Sequence, residues 1–229
     1  MKKDALILAL ITLVAGLLLG GVYELTADAR EKQEQIAKNK AYMAVYENNK
    51  VFKDKDVDKF TFVDVDLSSL FKLDEVLSQK QLSDKVVIDS LVKALDKDGK
   101  IAGYVFNVTS KNSYSSNGIS FSVGLDYKGN VTGISILSIE ETPGLGMKAK
   151  EDSFLNQYVD KFDHIRGKFV VNKDNPGEDD IKVDAISGAT ITSRAMTDGV
   201  NAAVAAYVCI TVDVQELPIE EETGGASNE

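Results

Sequence analysis

The stretch Asp184-Ala185-Ile186-Ser187-Gly188-Ala189-Thr190-Ile191-Thr192-Ser193 holds the residue types best suited to chemistry in this chain. A strand ends, a loop of small residues follows, and a helix opens with Thr192 or Ser193 as its cap. Free amides at a helix start favour negative charge, so the place suits a phosphate. Gly188 and Ala189 let a bulky group approach the backbone, and Thr190 sets a hydroxyl at the mouth of the loop. A phosphate esterified to that hydroxyl would lie against the amides of the next turn. Spacing alone, however, favours a plain capped helix, and a threonine hydroxyl is no nucleophile unaided.

A second stretch, Glu141-Thr142-Pro143-Gly144-Leu145-Gly146, places Pro and Gly where a type II turn wants them. Such a loop can lie flat against a planar ring and offer it backbone groups, although an ordinary turn leaving a strand reads the same way. Lys148 and Lys150 follow, suited either to a phosphate or to plain solvation. Other chemistries are excluded by count. Cys209 is the single cysteine and His164 the single histidine, so this chain alone offers no intrachain disulfide, iron–sulfur cluster or two-His metal site. Cys209 sits in an Ala/Val-rich run and reads as a small buried hydrophobe. Neither a catalytic residue nor a metal ligand is expected.

The elements that must position these loops follow from patterning. From Lys85 the period becomes two: Val86–Leu95, Ile101–Thr109, Ile119–Asp126 and Val131–Ile139 read as four strands of an antiparallel sheet. Asp98-Gly99 and Lys128-Gly129-Asn130 supply hairpin turns. Ser153–Ile165 reads as a helix, Asp174–Asp180 as an acidic turn and Lys182–Ala185 as a short strand. A last helix spans Ser193–Cys209, burying Met196, Val200, Val204 and Val208 with Ala203 and Tyr207 beside them. Upstream, Thr26–Asn48 is a charged helix with an apolar stripe at Ile36, Ala41, Met43 and Val45. Lys50–Lys59 reads as a hinge, Phe60–Val65 as a short strand and Ser68–Leu82 as helical. The tail Glu216–Glu229 is acidic and reads as disordered.

Lys2 and Lys3 precede an uncharged, Leu-rich run from Ala5 to Tyr23, about the length needed to cross a bilayer as one helix. Basic residues before the run place the N-terminus inside the cell and the rest outside. Ala27-Asp28-Ala29 offers the competing reading of a cleaved signal peptide, but the run exceeds a usual signal core. The net charge of −10 argues against nucleic acid and against basic-patch attachment to anionic lipid. The expected fold is α+β: a cytoplasmic N-terminus (1–4), a transmembrane helix (5–25), a helical stalk and connecting segment (26–84), an antiparallel-sheet domain (85–212) and an acidic flexible tail (213–229).

The run Asp184–Thr190 (DAISGAT) resembles the acceptor motif modified by flavin transferases, and Glu141–Gly146 resembles a signature stretch of the FMN-binding domain in the same proteins. The two occur in the right order, and the resemblance extends over roughly 85–210. With the N-terminal span and Tyr23-Glu24-Leu25-Thr26, the chain is similar to the G subunit of Rnf complexes, membrane assemblies that couple electron transfer between ferredoxin and NAD to ion pumping. The C subunit of the sodium-pumping quinone reductase shares the domain and is the alternative, as is a free-standing tethered flavoprotein. The resemblance implies FMN in phosphoester linkage to Thr190. It further implies cofactor contacts at Glu141, Thr142, Pro143, Gly144, Leu145, Gly146, Lys148, Asp184, Ser187, Gly188, Ala189, Thr192 and Ser193. A separate transferase would supply the flavin from FAD, with AMP leaving. The implied partners are that transferase, the other complex subunits and the bilayer.

Overall fold

The protein is represented by a computed structural model that describes residues 2–47, 49, 52, 57–70, 72–161 and 168–215. His164, the tail Glu216–Glu229, most of the Lys50–Lys59 hinge and the end of the expected Ser153–Ile165 helix lie outside the described residues. The chain forms two units, Met1–Lys40 and Ala41–Glu229.

The first unit holds α1 (Lys2–Leu25) and most of α2 (Ala27–Glu47). Apolar side chains between Leu10 and Val22 are 46% to 72% exposed, so the protein itself leaves them uncovered. The expected single spanning helix is not confirmed. Among the described residues no one helix is long and apolar enough to cross a membrane; Leu10–Leu25 and Ala27–Glu47 meet that test only together, bent by 48°. Helix α2 is rich in charge.

The second unit is built on a five-stranded antiparallel sheet in the order β1-β2-β3-β4-β5: Thr61–Val65, Val86–Leu95, Ile101–Ser110, Ile119–Asp126 and Val131–Ile139. The four expected strands are present, and the weakly alternating Thr61–Val65 adds the fifth, paired along β2. Two hairpins close through aspartates. Asp96 Oδ1 accepts from the amides of Asp98 and Lys100, and Asp126 Oδ1 from those of Lys128 and Asn130. Each supplies the local side-chain bond that makes Asp a turn residue. Between β1 and β2 the expected helical stretch is a 3-10 turn (Leu67–Ser69) and a short α3 (Leu73–Gln79).

Both faces of the sheet are covered. On one, Leu91, Phe106, Phe121, Val123 and Leu125 pack with Met196, Val200 and Ala203 of the last helix, Thr190–Gln215. On the other, Tyr42, Val45 and Tyr46 from the end of α2, with Phe52 and Phe60, pack on Val92, Ala94 and Val105. A bulge between Ile88 and Ser90 switches strand parity, which lets Val86, Ile88 and Leu91 share one core. The paired glycines Gly124 and Gly133 admit α2, because a Cβ on Gly133 would lie 2.6 Å from the Val45 carbonyl oxygen.

After β5 the chain differs most from its expected reading. Helix α4 is only Asp152–Leu155; the expected long helix gives way to turns, and Asp160 at φ +56° gives its amide to the Val131 carbonyl. A two-stranded parallel pair follows, β6 (Phe169–Val171) with β7 (Ile181–Val183). Helix α5 (Thr190–Gln215) begins at Thr190 rather than Ser193 and passes Cys209. Its alanines 202, 203, 205 and 206 are all buried, so it is enclosed on more than one stripe, whereas Val208 is exposed. Cys209 is buried, with its thiol toward the Ala205 carbonyl.

Candidate functional site

Two tight turns of one design face each other. In Thr142–Leu145 the Leu145 amide closes on the Thr142 carbonyl at 3.1 Å, with Gly144 at φ +77°. In Ile186–Ala189 the Ala189 amide closes on the Ile186 carbonyl at 3.0 Å, with Gly188 at φ +76°. A left-handed third residue marks a type II turn, and glycine enters that region at no steric cost. The turns touch: a Cβ on Gly188 would sit 3.0 Å from Leu145 Cδ2. One on Gly146 would sit 2.6 Å from Glu141 Oε2 and 2.9 Å from Thr192 Oγ1. The two stretches singled out in the sequence are therefore one place in the fold.

Glu141 is buried, and its Oε1 accepts from the amides of Tyr114 (3.1 Å) and Ser115 (3.3 Å). It ties the loop between β3 and β4 to the turn. Thr142, Pro143 and Gly144 are exposed, as are Leu145, Ser187 and Gly188. The exposed Tyr114 and Ile191 add further apolar surface to this part of the molecule.

Beyond the Ile186–Ala189 turn, Thr190 is the first residue of α5, and its side chain is half-buried. The amides of Thr190, Ile191 and Thr192 precede the first helical bond, which runs from the Ser193 amide to the Ala189 carbonyl at 3.0 Å. Thr192 and Ser193, expected as alternative caps, are instead buried inside the first turn. The Ser193 hydroxyl accepts from the Ile186 amide (3.0 Å) and donates to the Ala189 carbonyl (2.9 Å), which staples the turn to the helix. Asp184 gives its amide to Gln157 Oε1 at 2.7 Å, and its carboxylate accepts from the Asn172 amide group.

Lys148 and Lys150 are exposed on the 3-10 turn Gly146–Lys150. The lysine that reaches Thr190 is Lys173, whose Nζ donates to Thr190 Oγ1 at 3.3 Å. Sequence reasoning missed it, because Asp174–Asp180 reads as an acidic turn and Lys173 stands beyond its edge. Next to it, Asp174 accepts from Arg194 Nε at 2.9 and 3.0 Å. Hydrogen bonding from Arg194, with its charge, holds the Asp174 carboxyl below the usual range and raises the guanidinium further. Farther along α5, burial pushes the Asp198 carboxyl up, against the opposing pull of Lys85 at 3.8 Å and a bond from Asn112. Arg194, Asp198 and Asn201 line a cleft of about 760 Å³ whose walls include none of the 141–146 turn.

The donor set suits a phosphate ester: an accessible hydroxyl, a lysine ammonium upon it, and helix-start amides beside it. The paired glycine turns leave bare backbone where a ring would approach.

Residues 114–205 match the FMN-binding domain family, and residues 1–45 match the RnfG N-terminal region. The G subunit of the ion-translocating oxidoreductase complex of Aliivibrio fischeri is 32% identical, across 97% of this chain and 98% of that protein. The G subunit of the proton-translocating ferredoxin:NAD(+) oxidoreductase complex of Clostridium ljungdahlii is 40% identical over 111 residues, 48% of this chain and 56% of that one. The chain belongs to the family of ion-translocating oxidoreductase complex G subunits. Its fold is shared with the crystal structure of the C subunit of the Na(+)-translocating NADH-quinone reductase of Parabacteroides distasonis, at 17% identity and TM-score 0.51, over 79% of this chain and 95% of that one.

Proposed function

We propose that this chain is the G subunit of an Rnf-type ferredoxin:NAD oxidoreductase, relaying electrons through FMN esterified to Thr190. The observation that carries the reading is the meeting of the two turns beside Thr190, with Lys173 Nζ 3.3 Å from its hydroxyl oxygen. FMN, when bound, supplies reversible one- and two-electron chemistry. The chain's own part is to hold and orient it. Thr190 fixes the phosphate at the start of α5, where the first amides face negative charge. The Thr142–Leu145 turn offers backbone and Leu145 to the ring, while Glu141 keeps that turn in register with the loop at Tyr114. No side chain here is asked to catalyse a reaction of its own.

The uncovered apolar surface of α1 supports membrane insertion, and Lys2 and Lys3 support a cytoplasmic N-terminus with the flavin domain on the opposite side. A tether of this kind keeps the ring near neighbouring carriers in the other subunits. Mass spectrometry of the peptide containing Thr190 tests the central point. The expected result is a gain of one FMN less water, with in-gel flavin fluorescence lost in Thr190→Ala. Fluorescence that persists in this variant refutes the linkage. Purification with quinone-reductase subunits instead of Rnf subunits would assign the chain to the other complex.

A further inference from the structure

Three consecutive residues, Asn172, Lys173 and Asp174, each bond to the acceptor segment. Asn172 reaches the Asp184 carboxylate, Lys173 reaches Thr190 Oγ1, and Asp174 pairs with Arg194 one helical turn beyond Thr190. Topology brings them there. Strands β6 and β7 run parallel, and their last register pair is Val171 with Val183. The chain therefore leaves both strands at the same end, so Asn172 and Asp184 are the next residues in step. The ends of parallel strands are a common place for ligands, since loops from neighbouring strands converge there.

We propose that Lys173 is the cationic partner of the phosphate group carried by Thr190, held in place by its two neighbours; this rests on the flavin reading above. An ammonium has only donors. In the Lys173–Thr190 bond the hydroxyl oxygen is therefore the acceptor, so its own proton can pass to a base of the transferase as the oxygen–phosphorus bond forms and the FAD pyrophosphate bond breaks to release AMP. Once Thr190 is esterified, the phosphodiester carries one negative charge beside that ammonium. Asp174 is paired with Arg194 and the Asp184 carboxylate accepts from Asn172, while the Lys173 ammonium donates to Thr190 Oγ1. Lys148 and Lys150 are not needed for this role.

The test uses the full chain in detergent, with FAD, magnesium and a flavin transferase, and follows flavin incorporation by intact mass. A charge-assisted hydrogen bond is worth enough to change a rate by about tenfold to a hundredfold. Lys173→Gln is expected to load slower by that factor, and Lys173→Arg to recover most of the rate. The wild-type rate should fall with added salt, and the Lys173→Gln rate should respond less. Unchanged melting temperatures in both variants keep the comparison on charge. Lys173→Gln loading at the wild-type rate, or Lys173→Arg loading as slowly as Lys173→Gln, overturns the inference and leaves the Thr190 linkage intact. A wild-type chain that takes up no flavin overturns both.

Discussion

Replacing Gly146 with alanine should separate the two turns, and the size of the effect can be worked from contacts. The added Cβ would lie 2.6 Å from Glu141 Oε2, 2.7 Å from Glu141 Cβ and 2.9 Å from Thr192 Oγ1. None of these atoms is the far end of a free side chain. Thr192 is buried, and Glu141 is buried with Oε1 held by two backbone amides. Relief requires the carboxylate to retreat, the turn to move off α5, or both. Overpacking of this kind costs about 1–3 kcal/mol, and weakening one hydrogen bond to a buried carboxylate adds about 1.5 kcal/mol or more. A total of roughly 2.5–4.5 kcal/mol follows, equivalent to a melting-temperature drop of about 5–18 °C for a protein of this size. Gly144→Ala is the companion. Its Cβ meets nothing within 4 Å, so only its φ of +77° opposes the change, at about 1–2 kcal/mol. Thermal and urea unfolding should rank Gly146→Ala below Gly144→Ala, with faster amide exchange at Tyr114 and Ser115 in the first alone. A Gly146→Ala protein with wild-type stability and exchange would refute the proposed contact between the motifs.

Gly133→Ala should lower stability by about 1–3 kcal/mol in urea unfolding, because its Cβ would meet backbone atoms of Val45, which cannot rotate away. The Asp174 carboxyl is held below its ordinary value, so its contribution is present above about pH 4 and is lost as pH falls through the lowered folded value. Asp174→Asn should remove that acid dependence at a cost of at most about 1 kcal/mol at neutral pH, since the pair is partly exposed and salt-screened. Asp198 has the opposite sign. Burial raises its folded value, so its contribution is full below the unfolded pKa and is lost as pH rises through the raised one. Asp198→Asn should therefore flatten the fall in stability as pH rises above about 4, measured by urea unfolding at a series of pH values; an unchanged profile would contradict the assigned burial.

Much of the sheet was legible because strands that alternate over eight to ten residues, bounded by Asp-Gly or Gly-Asn turns, have few alternatives. The same rule hid its second core. Alternation suggests one wet face, whereas the end of α2 covers that face through Tyr42, Val45 and Tyr46. Its approach depends on Gly124 and Gly133 lying opposite each other, a relation set by strand register. The three-residue β6 gave no periodic signal at all. The N-terminal helix was legible as an uncharged run, but a run of letters does not reveal the 48° bend between α1 and α2.

At the acceptor, the residue types in DAISGAT and ETPGLG were enough by themselves to mark two small-residue turns and a helix start, because only glycine takes their left-handed positions freely. The paired motifs also carried the family resemblance. What only the tertiary structure decided is the charge at the site. Lys148, close in sequence to the first motif, is exposed on its own short turn, while Lys173 meets Thr190 because two parallel strands end side by side. Local sequence sets which conformations each turn can adopt; long-range pairing determines which side chains then share the same few ångströms.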